Sequence, residues 1–460
     1  MNIKTAIIAD DFTGAGDSCI HFCHAGFSVF LPLMLTNTAF PETLEILAVN
    51  TESRLDQGAV AYQKIAQAVD KCRAWGVQSF YKKIDSTMRG NICDEIKAVV
   101  DKGHYSAAVI CPAAPDVGRT VVNGQCLLHG IPIDQTETGQ DHLNPVKSSF
   151  IKDFFAPLLS ARIAHIKTSE LARGPEFLIK RVNGLLDEGT THIICDATNK
   201  QHLLLTIAAL KNDPRLLLAG AAGLAAAIAE TTPSHHSDLR LAKIPKGNIL
   251  VSSGSRMEVS RKQLANLTAK HDFVTVQIPV SALVLGEQAV VDKFWNDLQQ
   301  LKAIDSHAFI LTPDSHEEVY GAGGQRDSSE KIASFLAEAT AFMCRNLDIS
   351  VVVSIGGHTT FKTVQSLHAT GVMYEGEVIP GTALGQLQLS KDQHPLTLIT
   401  KSGSFGRDDA LLRVYDFITA KMAAPDKTKE NPFNQKGENC QPTPRDKTTA
   451  TVKSTRIRNL

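Results

Sequence analysis

TAIIADDFTGAGD, residues 5–17, places a short apolar run directly before two aspartates and a glycine-rich polar turn. The apolar run TAIIA (5–9) reads as a strand buried on both faces, and the turn opens a helix through about Ala25. The same step repeats. FSVFLPL (27–33) and LEILAVN (44–50) read as strands, the second followed by TESRLD and a long helix through Trp75. VQSFYKK (77–83) is a strand, Ile92, Ile96, Val99 and Val100 recur at helical spacing, and SAAVICP (106–112) is a strand again. Strands alternating with helices predict a parallel sheet covered by helices.

The rhythm continues through HIIC (192–195) and two helical patterns ending at Glu230, where LLLAGAAGLAAAIAE (216–230) reads as one buried helix. TTPSHHSDLRLAKIPKG (231–247) is polar and reads as a linker, which puts a domain boundary near residue 235. NILVSS (248–253), FVTVQIP (273–279), FILTP (309–313), ISVVVSI (349–355) and LTLIT (396–400) read as strands of a second α/β unit. The expected organisation is α/β with two domains, 1–235 and 236–423, each a mainly parallel sheet flanked by helices, with the active site in the cleft between them. Residues 424–460 are polar and almost free of large apolar side chains, which predicts a disordered tail.

Composition narrows the function classes. The chain has 460 residues, 43% hydrophobic and 21% charged, with a formal net charge of -1, so overall charge offers no footing on nucleic acid or a membrane surface. The start MNIKTAIIADD does not read as a signal peptide, and no apolar run is long enough to span a bilayer. Nine scattered cysteines without a Cys-x-x-Cys pair suit reduced thiols in a cytoplasm. Cys19 and Cys23 fall at i, i+4 with His21 and His24 nearby, but no second ligand pair matches. They read as a buried helix face, and no metal ligands are assigned.

Ligands of open parallel sheets sit beyond the carboxyl ends of the strands. In the first domain those ends carry Asp10 and Asp11, then Thr51 to Arg54, then Lys82, Lys83, Ile84 and Asp85, then Gly118 and Arg119. Cations there suit a carboxylate and aspartates suit sugar hydroxyls, so the mixture fits a small hydroxylated acid. The plainer alternative is capping: Asp85 or Ser86 could start the next helix. Strand alternation would point Lys82 and Lys83 to opposite faces, with one packing outward. In the second domain the strand ends carry Gly254-Ser255-Arg256, then Gly356-Gly357-His358-Thr359, then Ser402-Gly403-Ser404. Glycine turns feeding helix N-termini suit phosphate. Neither a P-loop motif nor a dinucleotide fingerprint is present. A sugar-acid site beside a nucleotide-phosphate site predicts phosphoryl transfer.

IADDFTGAGD, KKIDSTMRGN, CPAAPDVGRTVVNGQCLLHGIPI, LAGAAGLAAAIAE, SSGS, SIGGHTT and TKSGSFGRDD occur in this order over roughly residues 5–420, and in this the chain resembles the four-carbon acid sugar kinases. The resemblance implies an ATP-dependent kinase, with Mg2+ accompanying the nucleotide, that phosphorylates the 4-hydroxyl of threonate, erythronate or a 3-oxo-tetronate. It implies that Asp11, Arg54, Lys82, Lys83, Ile84 and Asp85 contact substrate, and that Ser255, Gly356, Gly357, His358, Thr359 and Gly403 contact ATP. Asp85 is the expected catalytic base, with Asp11 and Asp17 as alternatives. Ala222 and His358 depart from the family pattern, standing where serine and an acidic residue are common. The expected partner is a small-molecule sugar acid, with neither nucleic acid nor membrane, and a homodimer is left open. Two other readings compete. TGAGD (13–17) also looks like the anion-hole motif of ribokinase-type kinases, but it comes too early in the chain. A non-catalytic sugar-acid sensor would share the two-domain layout but would need no phosphate cradle.

Overall fold

The computed structural model describes residues 3–35, 40, 42–141, 144–158, 160–233, 244–315, 324–390 and 394–423. The expected boundary near residue 235 and the expected disordered tail 424–460 lie outside the described residues.

The strands of the first half are β1 (Thr5–Ala9), β2 (Val29–Pro32), β3 (Ile46–Asn50), β4 (Ser79–Lys83), β5 (Ala107–Cys111), β6 (Arg119–Val122), β7 (Gln125–Leu128), β8 (Ile131–Pro132), β9 (Ile163–Ile166), β10 (His192–Cys195) and β11 (Leu216–Gly220). Those of the second are β12 (Asn248–Ser253), β13 (Val274–Ile278), β14 (Ala308–Pro313), β15 (Ile349–Ile355), β16 (Gly371–Ile379), β17 (Thr382–Gln388) and β18 (Thr397–Lys401). Three helices of the first half bear on the site: α1 (Phe12–His24), α2 (Gly58–Ala74) and α3 (Ile92–Gly103).

Fifteen strands form one sheet in the order β13-β14-β12-β15-β18-β17-β16-β2-β3-β1-β4-β11-β5-β10-β9, while β6, β7 and β8 form a small antiparallel sheet. The run from β2 to β9 is parallel throughout, and so is the run from β13 to β18. The two parallel runs expected as separate sheets are joined by the β16–β17 hairpin, which pairs antiparallel with β18 on one side and β2 on the other. That hairpin escapes the sequence reading. Its strands bury residues irregularly, and β16 shifts register against β17 at two places. It also corrects the reading of LLLAGAAGLAAAIAE. Leu216–Gly220 is β11, parallel to both β4 and β5, and the helix begins only at Ala222. A short apolar run suits a covered central strand as well as a helix, and periodicity alone does not separate the two.

The central strands are buried along most of their length, β5 and β15 at every residue, which is why they read as continuous apolar runs. Alternation still divides them between layers. Leu250 and Val352 face the large core that runs through both halves, while Ile249, Val251, Val351 and Val353 face a second core with Leu411, Val414 and Ile418. Helix α1 lies where the halves meet. The Tyr374 hydroxyl of β16 comes so near Gly16 that an added Cβ would sit 2.6 Å from it. Phe12 of α1 packs 6.2 Å from Phe361 of helix Gly357–Ser366. Cys19 and Cys23 are buried on α1, where burial pushes both thiols up, and no group of three metal-ligating side chains forms among the described residues. No helix among the described residues is long and apolar enough to cross a membrane.

Candidate functional site

Strand β1 lies between β3 and β4, and the chain crosses it on the way from one to the other, so strand order reverses there. Such a reversal opens a crevice at the carboxyl ends. Asp11 leaves β1 in extended backbone and caps α1, its Oδ1 accepting from the Gly14 amide at 3.0 Å. Arg54, beyond β3, is held between two carboxylates. Its Nε and Nη2 donate to Asp10 at 2.7 and 3.0 Å, and its Nη1 and Nη2 donate to Asp11 at 2.9 and 2.8 Å. Burial works against ionisation of Asp10, but Arg54, Lys82 and Lys83 outweigh it and hold the group below the usual carboxylate range. Asn91 ties this loop to the next one, its Nδ2 donating to the Ser53 and Asp56 carbonyls at 2.9 and 3.0 Å.

The end of β4 overturns two expectations. Lys82 and Lys83 are 0% and 4% exposed, so neither packs outward. Alternation does separate them. Lys82 turns to one face and pairs at 2.8 Å with Glu95 of α3, which Ser53 also contacts at 2.7 Å. Lys83 turns to the other, donates to the Ile84 carbonyl at 2.9 Å and reaches a cavity. Nor does Asp85 or Ser86 cap α3, whose N-cap position is Asn91. The Asp85 carboxylate accepts instead from Thr87 Oγ1 at 2.5 Å and from Arg89 Nε at 2.8 Å and Nη2 at 3.3 Å. Burial would raise it, yet Arg89, Arg54 and Lys83 hold it well below the usual carboxylate range.

Two cavities meet along this rim. The first, of about 620 Å³, is lined by Asp11, Lys83, Asp85, Arg89, Asp17 and Arg119 from the first half and by Glu377, Gly381, Ser402 and Phe405 from the second. The second, of about 520 Å³, is lined by Asp11, Glu52 and Arg54 and by Gly254, Gly357, His358, Thr359 and Lys362. Both are of the size that takes a small metabolite or a cofactor. Asp11, Arg54 and Arg89 border both. At the shared wall Gly357, the first residue of its helix, approaches so closely that an added Cβ would lie 2.8 Å from both Asp11 Oδ2 and Thr13 Oγ1. A helix N-terminus with unused amides is thereby set beside the first half's carboxylate.

Of the expected site residues, Asp11, Arg54, Lys83 and Asp85 line the first cavity, and Gly357, His358 and Thr359 line the second. Lys82 is committed to Glu95, and Ile84 is buried, its amide donating to the Gly220 carbonyl at 2.9 Å. Gly356 precedes the helix with φ of 107°. Ser255 and Gly403 adjoin each other, an added Cβ on Gly403 lying 2.2 Å from Ser255 Oγ. His358 spans the halves, its Nδ1 3.2 Å from Glu52 and its Nε2 2.7 Å from Glu330. Burial lowers its pKa, but the two glutamates raise it above the ordinary histidine value.

Reading the rim from sequence placed Arg119 among the strand-end cations without giving it a contact of its own, and left Phe405 without a role. Arg119 is 6% exposed, its guanidinium lies 4.2 Å over the Phe405 ring, and its Nε has no hydrogen-bond partner among the described residues. Burial pushes the group down from its ordinary value. A buried cation facing a cavity without a carboxylate partner is a place for an anion. Lys401, 1% exposed at the end of β18, donates to the Ser402 carbonyl at 3.0 Å, and burial lowers it to about 7.

Comparison with known proteins gives the following likenesses. Residues 5–228 match the family described as sugar-binding N-terminal domain, and residues 250–411 match the nucleotide-binding C-terminal domain. The chain is 28% identical over 430 residues to a D-threonate kinase of Salmonella typhimurium, covering 90% of this chain and 98% of the relative. It is 26% identical over 451 residues to a D-erythronate kinase of Heliobacterium modesticaldum, covering 91% and 98%. Among solved structures, a Salmonella typhimurium LT2 protein described as a tRNA synthase superposes with a TM-score of 0.73 at 22% identity, covering 89% of this chain and 98% of that one. That likeness shows the fold alone.

Proposed function

The chain belongs to the four-carbon acid sugar kinases, phosphotransferases that take an alcohol group as acceptor, and on that premise we propose that it uses ATP to phosphorylate the 4-hydroxyl of threonate, erythronate or a 3-oxo-tetronate. The observation that carries the reading is the shared wall. Asp11 and Arg54 border both cavities, and the Gly357 helix N-terminus touches Asp11. A sugar acid in the first cavity and a triphosphate reaching into the second would meet there. Phosphoryl transfer asks chiefly for such positioning and for neutralised charge.

In this reading residues 1–235 bind the acid and residues 236–423 bind the nucleotide. Lys83 and Arg119, neither with a carboxylate partner among the described residues, orient the anionic groups. Asp11 and Asp85 accept from substrate hydroxyls with lone pairs their arginines leave open. Gly356, Gly357 and Thr359 offer helix-terminal amides to phosphate. Ser255, Gly403 and His358 lie around this cradle, while Lys82 and Ile84 support the rim from beneath. Mg2+ would enter with the nucleotide and neutralise phosphate charge. The carboxylate oxygens of Asp11 and Glu52 on the second cavity are the hard ligands it prefers. Free thiols and a nucleoside triphosphate co-substrate suit a cytoplasmic enzyme.

The test is ADP release with D- and L-threonate, D- and L-erythronate and the 3-oxo acids, followed by phosphorus NMR of the product. Turnover of one of these acids, giving a phosphate ester at the terminal hydroxyl, is the expected result. Binding of an acid without ADP release would leave a sugar-acid sensor in place of a kinase.

A further inference from the structure

Two carboxyls that line the first cavity form no hydrogen bond or ion pair among the described residues: Asp116, exposed to solvent on the short 115–117 turn, and Asp17, on α1. The aspartates at the strand ends themselves are committed. Asp10 and Asp11 share Arg54, and Asp85 is held by Arg89 and Thr87. Glu377, from β16, is partly occupied, its Oε1 accepting from the Gly381 amide at 2.6 Å. A carboxylate fixed against an arginine is a weak proton acceptor, because the pairing stabilises its ionised form. Asp17 carries no such stabilisation.

Its surroundings fit the task. Lys83 of β4, Arg119 of β6, Asp11 and Glu377 line the same cavity and are the charged groups that act on it. Cys19 and Tyr374 also lie close, and burial keeps both protonated. Burial raises Asp17 most; Lys83 lowers it, Asp11 and Glu377 raise it, and Arg119 lowers it, leaving it at about 7. A group that titrates near the working pH can both take and release a proton.

Building on the kinase reading above, we propose that Asp17 is the proton acceptor of phosphoryl transfer. The substrate hydroxyl oxygen forms its bond to the γ-phosphorus of the nucleoside triphosphate as the bond from that phosphorus to the bridging oxygen breaks. The hydroxyl proton passes to an Asp17 oxygen, and the nucleoside diphosphate departs with the electrons of the broken bond. Lys83 and Arg119, beside Asp17, hold the acid so that its hydroxyl faces the carboxyl. Asp17 then returns its proton to water when the cavity opens.

The test compares wild type, Asp17→Asn, Asp17→Glu and Asp85→Asn, each as the full chain, with ATP and whichever four-carbon acid the wild type turns over. Thermal unfolding and calorimetric binding of a non-hydrolysable ATP analogue confirm that each variant is folded. For Asp17→Asn, kcat falls by about 10²–10⁴-fold while both KM values stay within about 3-fold. The acidic limb of the kcat/KM–pH profile, centred near 7 in the wild type, is absent from the residual activity. Asp17→Glu recovers part of kcat. The proposal is overturned if Asp17→Asn keeps kcat within about 3-fold, if the limb persists in that variant, or if the variant loses acid binding together with turnover. A wild type that turns over none of the acids removes the kinase reading and this proposal with it. A normal wild type with an unimpaired Asp17→Asn removes this proposal alone.

Discussion

The two sets of strand ends that face each other across the cavities use opposite chemistry. Those of the first half carry full charges, most already spent on one another, as in the Asp10–Arg54–Asp11 cluster and the Asp85–Arg89 pair. Those of the second half present chiefly glycine, hydroxyls and helix-terminal amides, with Lys401 buried at the end of β18 and His358 as their charge-bearing contact to the first half. A small acid with several hydroxyls must be fixed by placed side chains, because it offers few atoms to grip. A triphosphate can be held by backbone dipoles, which cost no desolvated counter-charge. The difference also separates charges that build the site from charges left over to act in it: Lys83, Arg119 and Asp17.

Arg54→Ala tests the building charges most severely. It leaves the buried Asp10 and the half-buried Asp11 without their cation, which costs about 3–5 kcal/mol of stability and abolishes turnover. Urea unfolding measures this, and a loss of less than about 1 kcal/mol would show that the cluster does not hold the rim. Asp17→Asn goes the other way in stability. The folded value near 7 lies above that of an unfolded carboxyl, so the unfolded chain ionises first and the native state is penalised increasingly from about pH 4 to about pH 7. The amide removes that penalty, so the variant is more stable than wild type at about pH 8, by about 2–4 kcal/mol, and equal to it near pH 4. An equal or lower stability at pH 8 would mean that Asp17 is stabilised by a partner.

Lys83→Met separates the two halves functionally. It raises KM for the acid by about 10–100-fold and leaves KM for the nucleotide unchanged, in line with about 1.5–3 kcal/mol for a charge-assisted hydrogen bond. Equal rises in both would contradict the division of labour. The smallest effect belongs to His358. Its raised pKa means that the ion pairs with Glu52 and Glu330 contribute fully below the ordinary histidine value and are lost as pH rises through the raised one. Because the side chain is over a third exposed, His358→Gln costs less than about 1 kcal/mol near pH 5.5 and almost nothing near pH 9, read by urea unfolding at the two pH values.

Much of this was legible in the chain. Covered strands with apolar runs, such as ISVVVSI and SAAVICP, announce themselves, and so do the polar strand ends that follow. What stayed hidden depends on pairs distant in sequence. The β11 strand is set by insertion between β4 and β5, and the β16–β17 hairpin by its place against β2 and β18. Whether Lys82 or Lys83 reaches the cavity depends on α3 supplying Glu95 to one face of β4. The Arg119–Phe405 stack joins the two halves, and no local pattern signals it. Asp17 sat in a quotable motif, yet its significance lies in what fails to touch it, which only the packed structure reveals.

The most direct measurement is a crystal structure of the protein with a non-hydrolysable ATP analogue and its four-carbon acid bound together. The shared wall predicts the acid in the first cavity against Lys83 and Arg119, the terminal phosphate at the Gly357 amide, and the acid's 4-hydroxyl oxygen about 3–3.5 Å from the γ-phosphorus. An acid seated in the second cavity, or a 4-hydroxyl left more than about 6 Å from that phosphorus with both ligands in place, would contradict it.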